Sequence, residues 1–197
     1  MELFTTDDAA MLLIDHQVGT IKLSRNIDQD LLIRNTRALA RTAVATKMPL
    51  ILTTSQEDHF QGRLIPDLEE IAPKAYQARV KRPGTVDAFT YDPFRSAVEG
   101  TGKRKLIIAG LTNDVCTVFP SISARAAGYD VQLVIDGGGS PNQVADEMAA
   151  QRAHDHGVVV TTTNQCLAEL ATDWSSENGQ AIQGILYEEL LKPFVEE

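Results

Sequence analysis

Three observations predict an α/β fold with a mostly parallel central sheet of five or six strands. First, short apolar runs without helical gaps, such as 105–109 and 131–135, are typical of strands that are buried on both faces. Second, helical patterns separate these runs along the chain. Third, the stretch 105–136 reads as a complete strand–helix–strand unit with only short connections. Together they predict a three-layer α/β/α, Rossmann-like architecture.

Each element follows from a local signal. Strands are predicted at residues 10–15, 50–55, 78–81, 105–109, 131–135 and 158–162. Asp28 is a suitable N-cap for a helix that reaches residue 47, and Gly128 suits the end of a helix that begins at Asp114. Further helices are predicted near residues 66–73, 92–100, 142–156, 164–171 and 177–191. We expect residues 16–27 to form a loop.

The composition indicates one globular domain spanning residues 1–197. The chain is 43% hydrophobic and 23% charged, which is ordinary for a soluble protein of this length. A net charge of −9 without basic runs argues against a nucleic-acid or anionic-membrane partner. The two cysteines, with no signal peptide or transmembrane run in the sequence, predict free thiols and a cytoplasmic location.

Two side chains are predicted to meet at the carboxyl edge of the sheet, where ligands bind in open α/β folds. Cys116 falls in the first turn of the helix after strand 105–109, where a helix N-terminus lowers a thiol's pKa. Asp15 follows four apolar residues at the end of the first strand, which favours a buried general base over a solvated strand end. The simpler interpretation of Cys116 is a small buried hydrophobe. That interpretation is favoured for Cys166, because Leu167 and Leu170 suggest that it shares an apolar face.

Three stretches carry a family resemblance. The segment AGLTNDVC resembles the turn bearing the nucleophile in isochorismatase-like cysteine hydrolases. MLLIDHQVG, at residues 11–19, resembles that family's first strand, and VKRPGTVDAF, at residues 80–89, resembles its lysine loop. The three occur in the family's order and are most similar to a subgroup of octameric hydrolases of unassigned substrate. The resemblance extends over about the whole chain.

This resemblance implies a catalytic triad of Asp15, Lys81 and Cys116. Cys116 would attack a carbonyl, and Asp15 would act as general base and then as general acid. Lys81 would hold the thiolate and Asp15 in register, with the neighbouring Arg82 as the alternative for this role.

An oxyanion hole is also implied by the resemblance. Its two donors would be the backbone N–H groups of Thr112 and Cys116. The family's cis non-prolyl peptide would fall at Leu111–Thr112. The same stretches assign Gln17, Phe89, Asn113 and Val115 to the substrate pocket.

No metal or other cofactor is predicted. The metal-dependent branch of the family carries an Asp-x-His pair and a further His, whereas here Asp58 and His59 adjoin and no second His follows nearby. The glycines at 137–139 are interpreted as a turn, because no phosphate-loop lysine accompanies them. The predicted function is therefore metal-independent hydrolysis of a C–N, amide-type bond in a small molecule through a thioester. The alternative is a thiol-redox or small-ligand-binding protein without turnover.

The last predicted helix, 177–191, indicates assembly. Its apolar face contains five aliphatic residues: Ile182, Ile185, Leu186, Leu190 and Leu191. This face either packs on its own subunit or is covered by another copy. With the octamers of the similar subgroup, the pattern predicts a homo-oligomer, up to an octamer, whose interface includes this helix.

Overall fold

The computed structural model describes residues 2–196 as a six-stranded parallel sheet flanked by helices. The strands are β1 (Ala9–Ile14), β2 (Leu50–Ser55), β3 (Val80–Arg82), β4 (Lys105–Gly110), β5 (Asp130–Val134) and β6 (Val159–Thr161). The helices are α1 (Gln29–Ala45), α2 (Pro66–Ile71), α3 (Pro73–Gln77), α4 (Asp92–Glu99), α5 (Val118–Ala126), α6 (Gln143–Asp155), α7 (Thr163–Ala171), α8 (Glu177–Leu186) and α9 (Lys192–Val195). The predicted α/β class and parallel sheet are confirmed.

The strand order is β3-β2-β1-β4-β5-β6, so the chain winds outward from β1 in one direction and then from β4 in the other. Ile14, the last residue of β1, lies between Thr53 of β2 and Gly110 of β4. The order reverses between β1 and β4, and such a switch point leaves a crevice at the carboxyl ends of the strands. The fold therefore brings the segments after β1 and β4 together.

Local sequence signals set several element boundaries. The Asp28 side chain accepts a hydrogen bond from the Leu31 N–H at 2.9 Å and caps α1 as predicted. Gly128 follows α5 with φ +88°, a conformation that a side chain would disfavour. The loop 16–27 differs from the prediction in containing a single 3₁₀ turn, Thr20–Leu23. The C-terminal segment continues beyond α8 through a π-turn, Tyr187–Leu191.

The sheet separates two apolar cores. One lies between the sheet and the layer formed by α1, α7 and α8, and contains Cys166, which is fully buried. This agrees with the predicted packing role of that cysteine. The other lies beneath α4, α5 and α6, and Cys116 packs at its margin. The two cysteines are therefore on opposite sides of the sheet.

The apolar face of α8 is covered within its own subunit. Ile182, Ile185 and Leu186 are buried in the first core, in contact with neighbouring helices. These three residues therefore follow the alternative of packing on their own subunit, whereas Leu191 stays 40% exposed, and the use of the C-terminal helix in assembly stays a prediction. The face was ambiguous in the sequence because α1, which covers part of it, is distant along the chain.

Ion pairs attach the end of the C-terminal segment to α1. Glu189 is buried and binds Arg37 at 3.0 Å and Arg41 at 2.6 Å. Beyond this contact the chain exposes apolar side chains, with Leu191 40% and Phe194 81% accessible. No helix within residues 2–196 is long and apolar enough to cross a lipid bilayer.

Candidate active site

Asp15 lies at the centre of the carboxyl edge, directly after β1. Its backbone turns into the left-handed region with φ +57°, and its side chain is 1% exposed. One carboxylate oxygen, Oδ2, accepts a hydrogen bond from Nη2 of Arg82. Burial raises the pKa of Asp15, while the charge and hydrogen bond of Arg82 oppose that rise. A buried carboxyl with a raised pKa is suited to accept and return a proton.

Arg82 supplies the cation that faces Asp15. Its guanidinium is fully buried, and it also donates to the Thr85 carbonyl at 3.1 Å and to Oγ1 of Thr53 at 3.4 Å. These contacts fix the guanidinium at the end of β3. The arginine that the sequence offered as the alternative therefore occupies the position beside the base.

Lys81 does not join the site, so the prediction that it lies beside Asp15 and Cys116 is wrong. Its side chain is 63% exposed, and its Nζ lies 3.1 Å from Glu57. Although burial acts to raise the pKa of Glu57, hydrogen bonds from Arg79 and Lys81 lower it to about 2. Consecutive strand residues point to opposite faces, so Arg82 can face Asp15 only if Lys81 points away.

Cys116 lies in a π-turn, Asn113–Thr117, that precedes α5. Its half-buried thiol lies near enough to the Asp15 carboxylate for each group to affect the pKa of the other. Oδ1 of Asp15 has no hydrogen-bond partner among the described residues. Burial, and then the negative charge of Asp15, raise the pKa of the thiol to about 12. The expected lowering by the helix N-terminus is therefore wrong: the resting group is a thiol that needs a base.

The predicted oxyanion donors have different surroundings. The Leu111–Thr112 peptide is cis, as the resemblance implied. The Thr112 backbone acts on the Cys116 thiol by lowering its pKa, against the larger effects of burial and Asp15. The Cys116 N–H instead donates to the Thr112 carbonyl at 2.8 Å, so the expectation that it faces a substrate oxygen is not met in this structure.

Two of the four predicted pocket residues have structural roles. Gln17 is fully buried, and its amide exchanges hydrogen bonds of 2.9 Å with both backbone groups of Ser55. Phe89 is 4% exposed and packs edge-on against Tyr129, with ring centroids 5.6 Å apart. These contacts satisfy the two side chains without a ligand.

The other two predicted pocket residues flank the nucleophile. Val115 is 37% exposed and remains available to a substrate beside Cys116. Asn113 is fully buried, and its side-chain amide bonds to the Ile135 carbonyl and to Asp146. The assignment of Asn113 to substrate contact is therefore wrong in this structure. The Asn113 side chain instead binds the π-turn to neighbouring segments of the protein.

A cavity of about 330 Å³ opens beside Arg82 at the ends of β2 and β3. Its lining is mainly polar and includes Glu57, Asp58, His59 and Lys81. Across residues 2–196, no group of three or more His, Cys, Asp or Glu side chains is placed to hold a metal ion.

His16 was missed by the sequence analysis. It is fully buried next to Asp15, and its Nε2 lies 2.8 Å from the Gly137 carbonyl oxygen. Burial lowers the pKa of His16 to about 4, so the ring is neutral at neutral pH and Nε2 donates the hydrogen bond. It thus links the segment after β1 to the loop after β5. No local signal in the sequence distinguishes such a histidine from a solvated one.

Comparison with known proteins places this geometry in a family. The Isochorismatase domain profile matches residues 9–165. The "Probable hydrolase YcaC" of Escherichia coli K12 is 38% identical over 171 residues, which are 87% of this chain and 81% of the relative.

Two solved structures extend the similarity to nearly the whole fold. YcaC from Pseudomonas aeruginosa, solved with hexane-2,5-diol and covalent acrylamide, superposes with a TM-score of 0.92 at 37% identity, covering 97% of this chain and 93% of that one. The E. coli YcaC structure, described as an octameric hydrolase of unknown specificity, also gives 0.92, at 34% identity and 98% and 93% coverage. By profile, sequence identity and fold, the chain belongs to the isochorismatase family and is similar to its YcaC hydrolases.

Proposed function

We propose that this protein is a metal-independent cysteine hydrolase that cleaves the C–N bond of a small amide. The observation that carries the proposal is the convergence of Cys116, Asp15 and Arg82 at the switch point of the sheet. A thiol beside a buried carboxylate is a nucleophile with its base already in place. The hydrolase family supports the reaction type, and the covalent acrylamide on the P. aeruginosa relative supports a small amide as ligand.

The reaction has an acylation and a deacylation half. As the Cys116 sulfur bonds to the amide carbonyl carbon, Asp15 takes the thiol proton, and the carbonyl oxygen becomes an oxyanion near the Thr112 N–H. The C–N bond then breaks, and Asp15 delivers that proton to the departing nitrogen. Water next attacks the thioester and gives a proton to Asp15. The carboxylic acid is released, and the proton returns to the sulfur.

Arg82 supports this cycle by favouring the ionised form of Asp15 in a buried site. Burial alone favours a neutral carboxyl, which could not act as a base. The guanidinium offsets that preference without removing it, because the pKa of Asp15 stays raised. The carboxylate can therefore give up the proton that it has accepted.

The thiol-redox alternative receives no support from the site. A disulfide-forming redox site needs a second thiol within reach. Cys166, the other cysteine, lies in the opposite core. A protonated thiol paired with a base suits acyl transfer.

A panel of small primary and secondary amides, assayed for release of ammonia or amine, tests the proposal. We expect at least one amide to be turned over, with activity lost in Cys116→Ala. Cys166→Ala is the matched control and should retain activity, since that residue is in the other core. Full activity in Cys116→Ala, or no turnover across the panel together with thiol oxidation, would contradict the proposal.

We also propose that the protein forms a homo-oligomer, with the octamer of E. coli YcaC as the guide. The exposed apolar side chains after α8, including Phe194, are available for such contacts. Light scattering should give a mass several times the 21.5 kDa of one chain. A monomer at micromolar concentration would contradict this part of the proposal.

A further inference from the structure

The loop 137–139 packs directly against the turn that carries Cys116. The Asn113 N–H donates to the Gly139 carbonyl at 2.9 Å. A Cβ added to Gly138 would lie 2.1 Å from the Gly110 carbonyl oxygen and 2.3 Å from Oδ1 of Asn113. Only glycine permits this approach, so the loop is a close-fitting support for the turn.

Asn113 joins the turn to its surroundings through both ends of its amide. Nδ2 donates to the Ile135 carbonyl at 2.8 Å and to Oδ1 of Asp146 at 2.9 Å. Oδ1 lies 3.2 Å from the Thr117 hydroxyl of the same π-turn, whose one proton also has the Thr112 and Asn113 carbonyls within reach. All these contacts require the Asn113 amide to point its Nδ2 towards Ile135 and Asp146 and its Oδ1 towards Thr117.

Asp146 fixes that orientation together with the Ile135 carbonyl. An ionised carboxylate only accepts hydrogen bonds, so it can face the Nδ2 end of Asn113 but not the oxygen end. A reversed amide would bring its oxygen against the Asp146 carboxylate and the Ile135 carbonyl. Asp146 is itself held by the Ser140 hydroxyl, which donates to the same Oδ1 at 2.8 Å.

We propose that Asp146, in the first turn of α6, is a positioning residue for the Cys116 nucleophile, acting through the side-chain amide of Asn113. It holds the amide in the orientation that joins the π-turn to the loop after β5, and so keeps the sulfur beside Asp15. Asp146 touches no reacting atom. This inference rests on the proposed role of Cys116.

Acrylamide is a suitable probe, because its addition reports on the sulfur and its base. The Cys116 sulfur bonds to the terminal alkene carbon, the thiol proton passes by way of Asp15 to the α-carbon, and no group leaves. Burial is the largest cause of the high thiol pKa, so a sulfur displaced from Asp15 stays protonated but loses its base. Displacement therefore slows the addition.

The experiment measures the rate of acrylamide adduct formation at Cys116 by peptide mass mapping over a range of pH. It compares the wild type with Asp146→Ala, Asp146→Asn and Glu147→Ala, each checked to have the same oligomeric state as the wild type. Asp146→Ala should slow the reaction at neutral pH by about tenfold or more, as expected for a misplaced reacting group. Its rate should also rise about tenfold per pH unit, following simple thiol ionisation, whereas the wild-type rate is flatter because Asp15 takes the proton.

Two variants distinguish a positioning role of Asp146 from a general loss of structure. Asp146→Asn keeps an acceptor oxygen for Asn113 and should restore the wild-type pH profile, with a rate within about threefold of the wild type. Glu147→Ala removes the next carboxylate, which is exposed and bonds only to Gln143 at 3.1 Å among the described residues, and should match the wild type. If Asp146→Ala does not fold, the experiment uses Asp146→Ser instead, because the serine side chain is shorter than that of aspartate.

A folded Asp146→Ala protein with the wild-type rate and pH profile would overturn the inference. So would an Asp146→Asn protein as impaired as Asp146→Ala, because the acceptor would then not be what matters. A wild-type protein that forms no adduct at Cys116 would contradict the proposed function itself, and the positioning role with it.

Discussion

Replacing Arg82 by Met tests the most consequential correction to the sequence prediction. The two side chains of the Arg82–Asp15 pair are 0% and 1% exposed, so solvent cannot take over for the lost partner. Removing one member of a buried ion pair costs about 3–5 kcal/mol of unfolding free energy, because the other charge is left unpaired. For a domain of this length that corresponds to a fall of roughly 6–20 °C in melting temperature.

The loss of unfolding free energy in Arg82→Met should depend on pH, and the direction of this dependence follows from the pKa of Asp15. A carboxyl whose folded pKa is raised contributes stability at low pH and loses it as the pH rises through the folded value. Burial already raises the pKa of Asp15, and removing Arg82 removes a contribution that lowers it. The deficit of the variant should therefore be largest at neutral pH and should shrink towards acidic pH, where Asp15 is protonated in both proteins.

Lys81→Met is the matched control, one residue away along β3. Lys81 is largely exposed, and its partner Glu57 keeps a 2.6 Å contact with Arg79. Loss of a surface pair costs at most about 1 kcal/mol. Thermal unfolding at neutral and acidic pH, with amide turnover, compares the two variants. If Lys81→Met abolished activity while Arg82→Met remained stable and active, the reasoning would be refuted.

Three further predictions concern the thiol, metal and core. Iodoacetamide should label Cys116 before Cys166 in the folded protein, because Cys116 is half-buried and Cys166 is fully buried; peptide mapping that finds the reverse preference would contradict it. Amide turnover should survive exhaustive chelation, and elemental analysis showing about one metal per chain, with activity lost on its removal, would contradict the proposed mechanism. Ile182→Ala, at a fully buried position, should lower the unfolding free energy by about 2–5 kcal/mol. Phe194→Ala, at an 81% exposed position, should change monomer stability by less than about 0.5 kcal/mol, and urea titrations giving equal losses would show that the C-terminal segment packs differently.

The elements that could be predicted from the sequence are those with local causes. Asp28 caps α1 by a contact three residues away, and β2 falls at residues 50–55 as its apolar pattern indicated. The switch-point location of Asp15 and Cys116 also follows, because parallel strands joined by helices place their carboxyl ends at one edge.

The errors arose where the answer depends on distant residues. Whether Lys81 or Arg82 faces the site is set by the pairing of β3 with β2, in which Ser55 lies opposite Arg82. A shift of one residue in this register would exchange the two side chains. The raised pKa of Cys116 has a similar origin, since burial and a carboxylate from β1 outweigh the local effect of the helix N-terminus.

Polar side chains gave a different kind of error. Asn113 and Gln17 carry groups that suit either a substrate or the protein backbone, and residue type alone does not distinguish the two. In the structure both are occupied by backbone partners. Part of the cover over α8 likewise comes from α1, which is distant in the sequence, so the apolar face of α8 could not reveal whether its partner was internal.

The central claim is that Cys116 carries the acyl group during turnover. Its most direct test is to quench the hydrolysis of the best amide of the panel in acid and to map the peptides by mass. We predict an acyl group on Cys116 that hydroxylamine removes, with Cys166 unmodified. Steady turnover with no acyl group on Cys116 at any quench time, and with activity intact in Cys116→Ala, would contradict it.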